Sequence, residues 1–267
     1  MIKMIVVDMD GTFLDAHSQY NVERFEKIYK KLKERGIQFV VASGNTYKQL
    51  QAFFESHKDE MIFIAENGGY IVDKNEDLFV SHISKDDTSI IIDTLKEMPD
   101  ILSWVCTKNQ SYTLNSLSEE YFQMFLPYFP GVKRIRDYHL IKDDIIKFAL
   151  YLPLKNVKER IYDLSQITSR SVRVVDSGHY CVDIIPNHIN KGTALQRLMD
   201  KYCIKEDEIM AFGDAENDLE MLRMVKYGYI MENADDDLKK EFKRIAPHHN
   251  EQGVLTILDK FLEKNGE

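Results

Sequence analysis

Two aspartates one residue apart, Asp8 and Asp10, follow the apolar run Ile5-Val6-Val7 and precede Gly11-Thr12. With that run as a strand, both carboxylates share one face and Met9 takes the other. Like charges so close resist joint ionisation, so the pair requires a cation, a shared proton or a division of roles. Further polar sites follow downstream: Ser43-Gly44, Lys191 within Asn190-Lys191-Gly192, and Gly213-Asp214-Ala215-Glu216-Asn217-Asp218. Brought together, they offer carboxylates for a hard divalent cation, a hydroxyl and an ammonium for phosphate oxygens, and glycines that let backbone N–H groups approach an anion. Octahedral Mg²⁺ fits this set better than zinc, which favours His and Cys ligands. Such a site allows Asp8 to stay ionised as a nucleophile and Asp10 to give a proton to a leaving oxygen and later take one from water. Ser43 and Lys191 would hold the phosphoryl oxygens.

These sites converge only if the chain between them places each at a strand end or a helix start. Val22, Phe25, Ile28, Tyr29 and Leu32 recur at helical spacing before Gly36, and Gln38 to Ala42 reads as a buried strand ending at Ser43-Gly44-Asn45. A helix from Thr46 to about His57 and a strand from Met61 to Ala65 follow. This alternation is the signature of a parallel α/β sheet. From Tyr70 the grammar changes to a hairpin around Asp73-Lys74-Asn75-Glu76. Next come a helix over Ile90–Met98, strands at Ser103–Cys106 and Ser111–Leu114, a helix over Glu119–Phe129 and a strand at Ile145–Leu152. A helix over Val157–Ile167 and a hairpin of Val172–Val175 with Tyr180–Ile185 complete this stretch. The alternation resumes after Pro186, with helices at Lys191–Tyr202, near Asp235–Arg244 and at Val254–Leu262, and strands at Glu208–Phe212 and Tyr227–Ile230. The expected fold is α/β, a mostly parallel Rossmann-like core of residues 1–83 and 186–267, interrupted by an inserted α+β cap at 84–185.

The 267 residues carry a net charge of -9, from 44 acidic and 35 basic side chains, and no Lys/Arg block makes a polyanion-binding stripe. Nucleic acid is therefore not an expected partner. Cys106, Cys181 and Cys203 show no CxxC spacing and read as buried thiols of a reducing compartment. No apolar run reaches the length of a membrane span, and the expected location is the cytoplasm.

Taken alone, Asp-x-Asp-Gly-Thr reads as a turn with solvated acids, and Ser43 as a helix cap. In their order and context the motifs resemble those of haloacid dehalogenase superfamily phosphatases of the Cof-like kind, over essentially the whole chain. The first motif matches Asp8-Met9-Asp10-Gly11-Thr12, the second Ala42-Ser43-Gly44, the third Asn190-Lys191-Gly192, and the fourth Gly213 to Asp218. The resemblance implies a phosphatase for small-molecule phosphate monoesters, sugar phosphates first and phosphorylated cofactors second, working through an aspartyl-phosphate on Asp8. It implies Mg²⁺ held by the Asp8 carboxylate, the Asp10 carbonyl and Asp214, with Asp218 acting through water. Phosphate would meet Met9, Ser43, Gly44, Lys191 and Asn217, the last also able to contact Asp8. Many such relatives carry arginine where this chain has Asn45, which bears on substrate range. His179 and Tyr180, at the tip of the last cap hairpin, are placed to meet the leaving group. Tyr121, Phe122, Phe125, Tyr128 and Phe129 read as cap core, and His248 and His249 as surface residues. Glu66, Asn67 and Gly68 read as loop-shaping. A phosphomutase or phosphotransferase would use the same Asp8. A phospho-receiver lacks a large insertion, and a silent metabolite-binding protein has no use for a complete catalytic set.

Overall fold

All four residues of the first strand, β1 (Met4–Val7), are buried. Ile5 and Val7 join one hydrophobic core and Met4 and Val6 another. A strand apolar on both faces belongs in the middle of a sheet covered on both sides. The computed structural model describes residues 1–152, 162, 164–166, 171–178 and 180–264. In it β2 (Gln38–Ala42), β3 (Ile62–Ala65), β12 (Ile209–Gly213), β13 (Tyr227–Met231) and β14 (Ile245–Ala246) run parallel with β1, in the order β14-β13-β12-β1-β2-β3. An antiparallel hairpin of β4 (Tyr70–Asp73) and β5 (Glu76–Val80) extends the β3 edge. Lys74 and Asn75 form its turn with φ of +52° and +71°, the paired left-handed conformation of a two-residue hairpin loop.

Helices α1 (Val22–Glu34) and α8 (Gly253–Lys264) cover one face of this sheet. Helices α5 (Lys191–Tyr202) and α6 (Leu219–Arg223) cover the other. In α1 the apolar stripe buries Phe25, Ile28, Tyr29 and Leu32, while Val22, in the first turn, is exposed. The chain leaves β1 toward β2 in its first part and returns beside it as β12. The crevice at the carboxyl ends of these strands is thus a topological switch point, where open α/β sheets bind ligands.

A second sheet has the order β10-β11-β9-β6-β7-β8. Its strands are β6 (Leu102–Thr107), β7 (Ser111–Leu114), β8 (Lys133–Ile135), β9 (Ile145–Tyr151), β10 (Val172–Gly178) and β11 (Cys181–Pro186), antiparallel throughout except β7 with β8. Helix α3 (Lys85–Lys96) buries Ile91, Ile92 and Leu95 against one face. Helix α4 (Glu119–Phe125) packs on the other, where Phe129 stacks on Trp104 at 5.3 Å and 5°.

Several elements differ from the sequence expectation. Helix α2 (Tyr47–Phe53) stops before His57 because Phe54 leaves helical geometry, and α4 stops at Phe125. The helix expected over Asp235–Arg244 shrinks to α7 (Asp236–Lys239), and the short strands β8 and β14 are additional. Two or three residues carry no usable periodicity. The helix expected over Val157–Ile167 lies mostly outside the described residues.

Candidate active site

The β1 strand delivers Asp8 to the crevice, where its backbone N–H donates to the Phe212 carbonyl of β12 at 3.0 Å. The chain then folds back, with Phe13 N–H on the Asp8 carbonyl and Leu14 N–H on the Met9 carbonyl at 3.2 and 2.9 Å. Gly11 sits at φ +77°, and a Cβ there would stand 2.3 Å from Asp214 Oδ2. The turn therefore needs glycine for its conformation and for the approach of Asp214. Thr12 is buried and its hydroxyl donates to Asp214 Oδ1 at 2.9 Å. The Met9 side chain lies in the core, which leaves only its backbone to serve the crevice. Asn233 donates to the Gly11 carbonyl at 2.8 Å and accepts from His249 N–H, whose ring meets the Leu14 carbonyl at 2.7 Å. His249 is thus half-buried and anchors the loop, unlike the surface residue expected from the sequence.

Lys191 opens α5 behind a reciprocal cap between Asn190 and Thr193. Lys191 is 1% exposed, and its Nζ donates to Asp8 Oδ1 and to Asp218 Oδ1, both at 2.6 Å. Asp218 is fully buried, and its other oxygen accepts the backbone N–H groups of Asp214 and Ala215 at 3.0 and 3.2 Å. Asp8, Asp214 and Asp218 each bring a carboxylate oxygen within 4.8 Å of the others.

One ammonium thus faces three acids, of which Asp8 and Asp218 are buried and Asp214 is half-buried. Burial, then the charge of Asp218, push the Asp8 carboxyl well above its usual range, with Lys191 pulling the other way. Burial and Asp218 raise Asp214 to about 7. Lys191, which burial alone would lower, is raised by Asp218 and Asp8. The surplus negative charge and the all-oxygen donor set suit a hard divalent cation. Among the described residues no histidine or cysteine joins the cluster.

Asp10 is exposed at the mouth, and its Oδ2 accepts from the Asn45 side chain at 2.7 Å. Asn45, where the resemblance leads to an expectation of arginine, therefore bonds the acid expected to move protons. Asn45 N–H in turn donates to Ser43 Oγ at 3.1 Å. Ser43 is buried, and α2 is capped by Thr46 and not by Ser43. The Gly44 carbonyl accepts from Lys147. Asn217 was expected on phosphate or Asp8; its amide donates to Asn67 Oδ1 at 3.0 Å. Tyr180 stands 56% exposed at the tip of the β10–β11 hairpin. His179 lies outside the described residues. Of the aromatic residues expected as core, Phe125 and Phe129 are buried, but Tyr128 is 43% exposed. Burial and the charge of Asp10 raise its hydroxyl.

Sequence reasoning missed Lys147 and Asp183, both buried in polar contacts with this region. The signal was present. Each is a lone charge in an otherwise apolar strand, Ile145-Ile146-Lys147-Phe148 and Val182-Asp183-Ile184-Ile185. Asn233 had no comparable signal.

A model of haloacid dehalogenase-like hydrolases matches residues 5–258. The chain is 35% identical over 262 residues to 5-amino-6-(5-phospho-D-ribitylamino)uracil phosphatase YbjI of Escherichia coli K12, covering 98% of this chain and 97% of that protein. The crystal structure of SMU.1108c from Streptococcus mutans UA159 matches at TM-score 0.93 and 33% identity, over 98% and 100% of the two chains. The sugar phosphatase BT4131, of subclass IIB, shares the fold at TM-score 0.82 and 17% identity, over 97% and 98%. The described residues include no helix long and apolar enough to cross a membrane. With the motifs in order, the two-sheet fold and relatives along its full length, the chain belongs to the haloacid dehalogenase-like hydrolases and is a phosphatase of that family.

Proposed function

We infer that the protein is a Mg²⁺-dependent phosphate monoesterase working in the cytoplasm through an aspartyl-phosphate. The observation that carries this is the buried Asp8–Lys191–Asp218 triad with Asp214 beside it. Mg²⁺ would be held by Asp8, the Asp10 carbonyl and Asp214, with Asp218 in support, and would supply charge neutralisation. An Asp8 oxygen forms the bond to phosphorus while the bond to the leaving oxygen breaks, and that oxygen takes its proton from Asp10. Water then gives its proton to Asp10 and displaces Asp8, releasing phosphate. Lys191 and Ser43 keep the phosphoryl oxygens in place.

For substrate, a ribitylaminouracil phosphate stands ahead of simple sugar phosphates. The 35% identical relative bears that activity in its name, and the exposed rings of Tyr128 and Tyr180 offer faces on which a pyrimidine can stack. The 84–185 insertion, with Asn45, would select among esters. The test is phosphate release with Mg²⁺ from 5-amino-6-(5-phospho-D-ribitylamino)uracil, sugar phosphates, pyridoxal phosphate and flavin mononucleotide. Release from none, or transfer to a second hydroxyl without release, would sink the hydrolase reading.

A pH dependence follows from Asp214. Its carboxyl, raised from 3.8 to about 7, holds a proton in the folded chain that the unfolded chain has released. Its contribution to metal-free stability therefore falls as pH rises through that window and levels off above it. A cation must displace the same proton, so binding strengthens as pH rises. The rise in thermal midpoint on adding Mg²⁺ is expected to be small near about pH 5 and to grow to a plateau beyond about pH 7. The Asp214→Asn variant should weaken that dependence and keep the part that Asp8 carries; equal stabilisation of the native chain at both pH values would contradict the assignment.

A further inference from the structure

A second buried charge cluster lies where the two sheets meet. Lys147 on β9 directs its Nζ at three oxygens, donating to the Gly44 carbonyl at 2.7 Å and Asp183 Oδ2 at 3.4 Å and forming an ion pair with Glu66 Oε2 at 3.0 Å. Lys147, Glu66 and Asp183 are all buried. Asp183 Oδ2 also accepts from the Asn67 side chain at 2.7 Å, and Asn67 Oδ1 accepts from Asn217 at 3.0 Å. The backbone ties back as well, with Glu66 N–H on the Asn45 carbonyl and Asn67 N–H on the Ser43 carbonyl, both at 3.0 Å. One ammonium of the smaller sheet thus reaches the Ser43–Asn45 loop directly and Asn217 through two side chains.

The loop that relays this contact is strained. Glu66, Asn67 and Gly68 are successive left-handed residues with φ of +53°, +54° and +97°. Glutamate rarely adopts that conformation, and such geometry persists only where the surroundings over-determine it. Here the surroundings are the ion pair to Lys147 and the bonds just named. An apolar residue at 147 would suit the strand with less desolvation, as buried ion pairs often fail to repay theirs. It would not hold the Gly44 carbonyl.

We propose that Lys147 is a positioning residue for phosphoryl transfer. Its docking sets the Ser43–Asn45 loop and, through Asp183 and Asn67, the Asn217 amide, so that seating of the smaller sheet completes the phosphoryl site. This rests on the assignment of Ser43 to phosphoryl oxygens in the proposed function and on the resemblance, which implies the same for Asn217.

The test compares the wild type, Lys147→Met and Lys147→Met with Glu66→Gln, using p-nitrophenyl phosphate with Mg²⁺ and amide hydrogen exchange. The double variant restores the cluster's net charge without restoring the bond to Gly44. Expected for both variants is a kcat lower by about 30-fold or more with KM within about threefold, the pattern of an interaction made in the transition state. Exchange should accelerate at residues 43–46 and 66–69 and stay unchanged in β1 and β12. A double variant within about threefold of wild-type kcat would mean that Lys147 only balances charge, and the proposal falls. Where Lys147→Met fails to fold, the double variant decides. A wild type that releases no phosphate from any ester refutes the hydrolase reading separately. Exchange then decides the coupling: local acceleration at both loops supports it and unchanged rates overturn it.

Discussion

Asp8→Asn is expected to abolish phosphate release and at the same time to raise the thermal midpoint of the metal-free protein. Replacing the carboxylate by an amide removes the nucleophile, and losses of about 10⁴-fold or more in kcat accompany removal of a group on which bond formation depends. The stability gain has a separate cause. Burial and Asp218 raise the Asp8 carboxyl well above its usual range, against the pull of Lys191. The folded chain therefore holds a proton that the unfolded chain releases, and ionised Asp8 opposes folding increasingly as pH rises through that interval. An amide of the same shape ends that penalty and still offers an oxygen to Lys191. Asp10→Asn is the control: Asp10 is exposed and bonded to Asn45, so its loss should lower kcat by about 10² to 10⁴ through the proton transfers and leave the midpoint nearly unchanged. Phosphate release and thermal melts in chelator at neutral pH read both effects. Hydrolysis by Asp8→Asn within tenfold of wild type would exclude the covalent route.

The same two residues show how far the sequence can be read. Asp8, Asp214, Asp218 and Lys191 were legible because each ends a strand or opens a helix, and their order limits what can converge on one crevice. The parallel sheet was legible for a related reason: β1, β2, β3 and β12 are apolar runs buried on both faces. What stayed hidden was the layer behind the site. Asn217 meets Asn67, and Asn67 meets Asp183, 116 residues further along the chain. No local pattern encodes a contact made by packing one sheet against another. Tyr128 was misassigned for a similar reason. Helical spacing says that residues share a face, but α4 ends at Phe125, and Tyr128 beyond it is left exposed.

Lys191→Met should be the single change most damaging to stability. Lys191 is the cation between two buried carboxylates, at 2.6 Å from each. Breaking a buried pair by removing one partner costs about 3–5 kcal/mol, because a charge is left without compensation. Here both Asp8 and Asp218 lose theirs, and a fall of roughly 10 °C or more in thermal midpoint is expected for a chain of this length. Without the lysine the Asp8 carboxyl shifts further upward, so the folded state binds still more protons than the unfolded one. The gap in midpoint between variant and wild type should therefore be small near about pH 4 and widen as pH rises. Phosphate release should drop by about 10³-fold, because the charge that holds the phosphoryl oxygens is gone. Lys191→Met with Asp218→Asn separates the two roles. Removing the second acid should recover much of the midpoint, since one carboxylate is no longer left facing another, and should recover none of the activity. If activity returned with stability, Lys191 would serve only to balance buried charge, and the phosphoryl oxygens would need another partner. If neither returned, the two backbone N–H bonds that Asp218 accepts from Asp214 and Ala215 would be what holds that loop in shape.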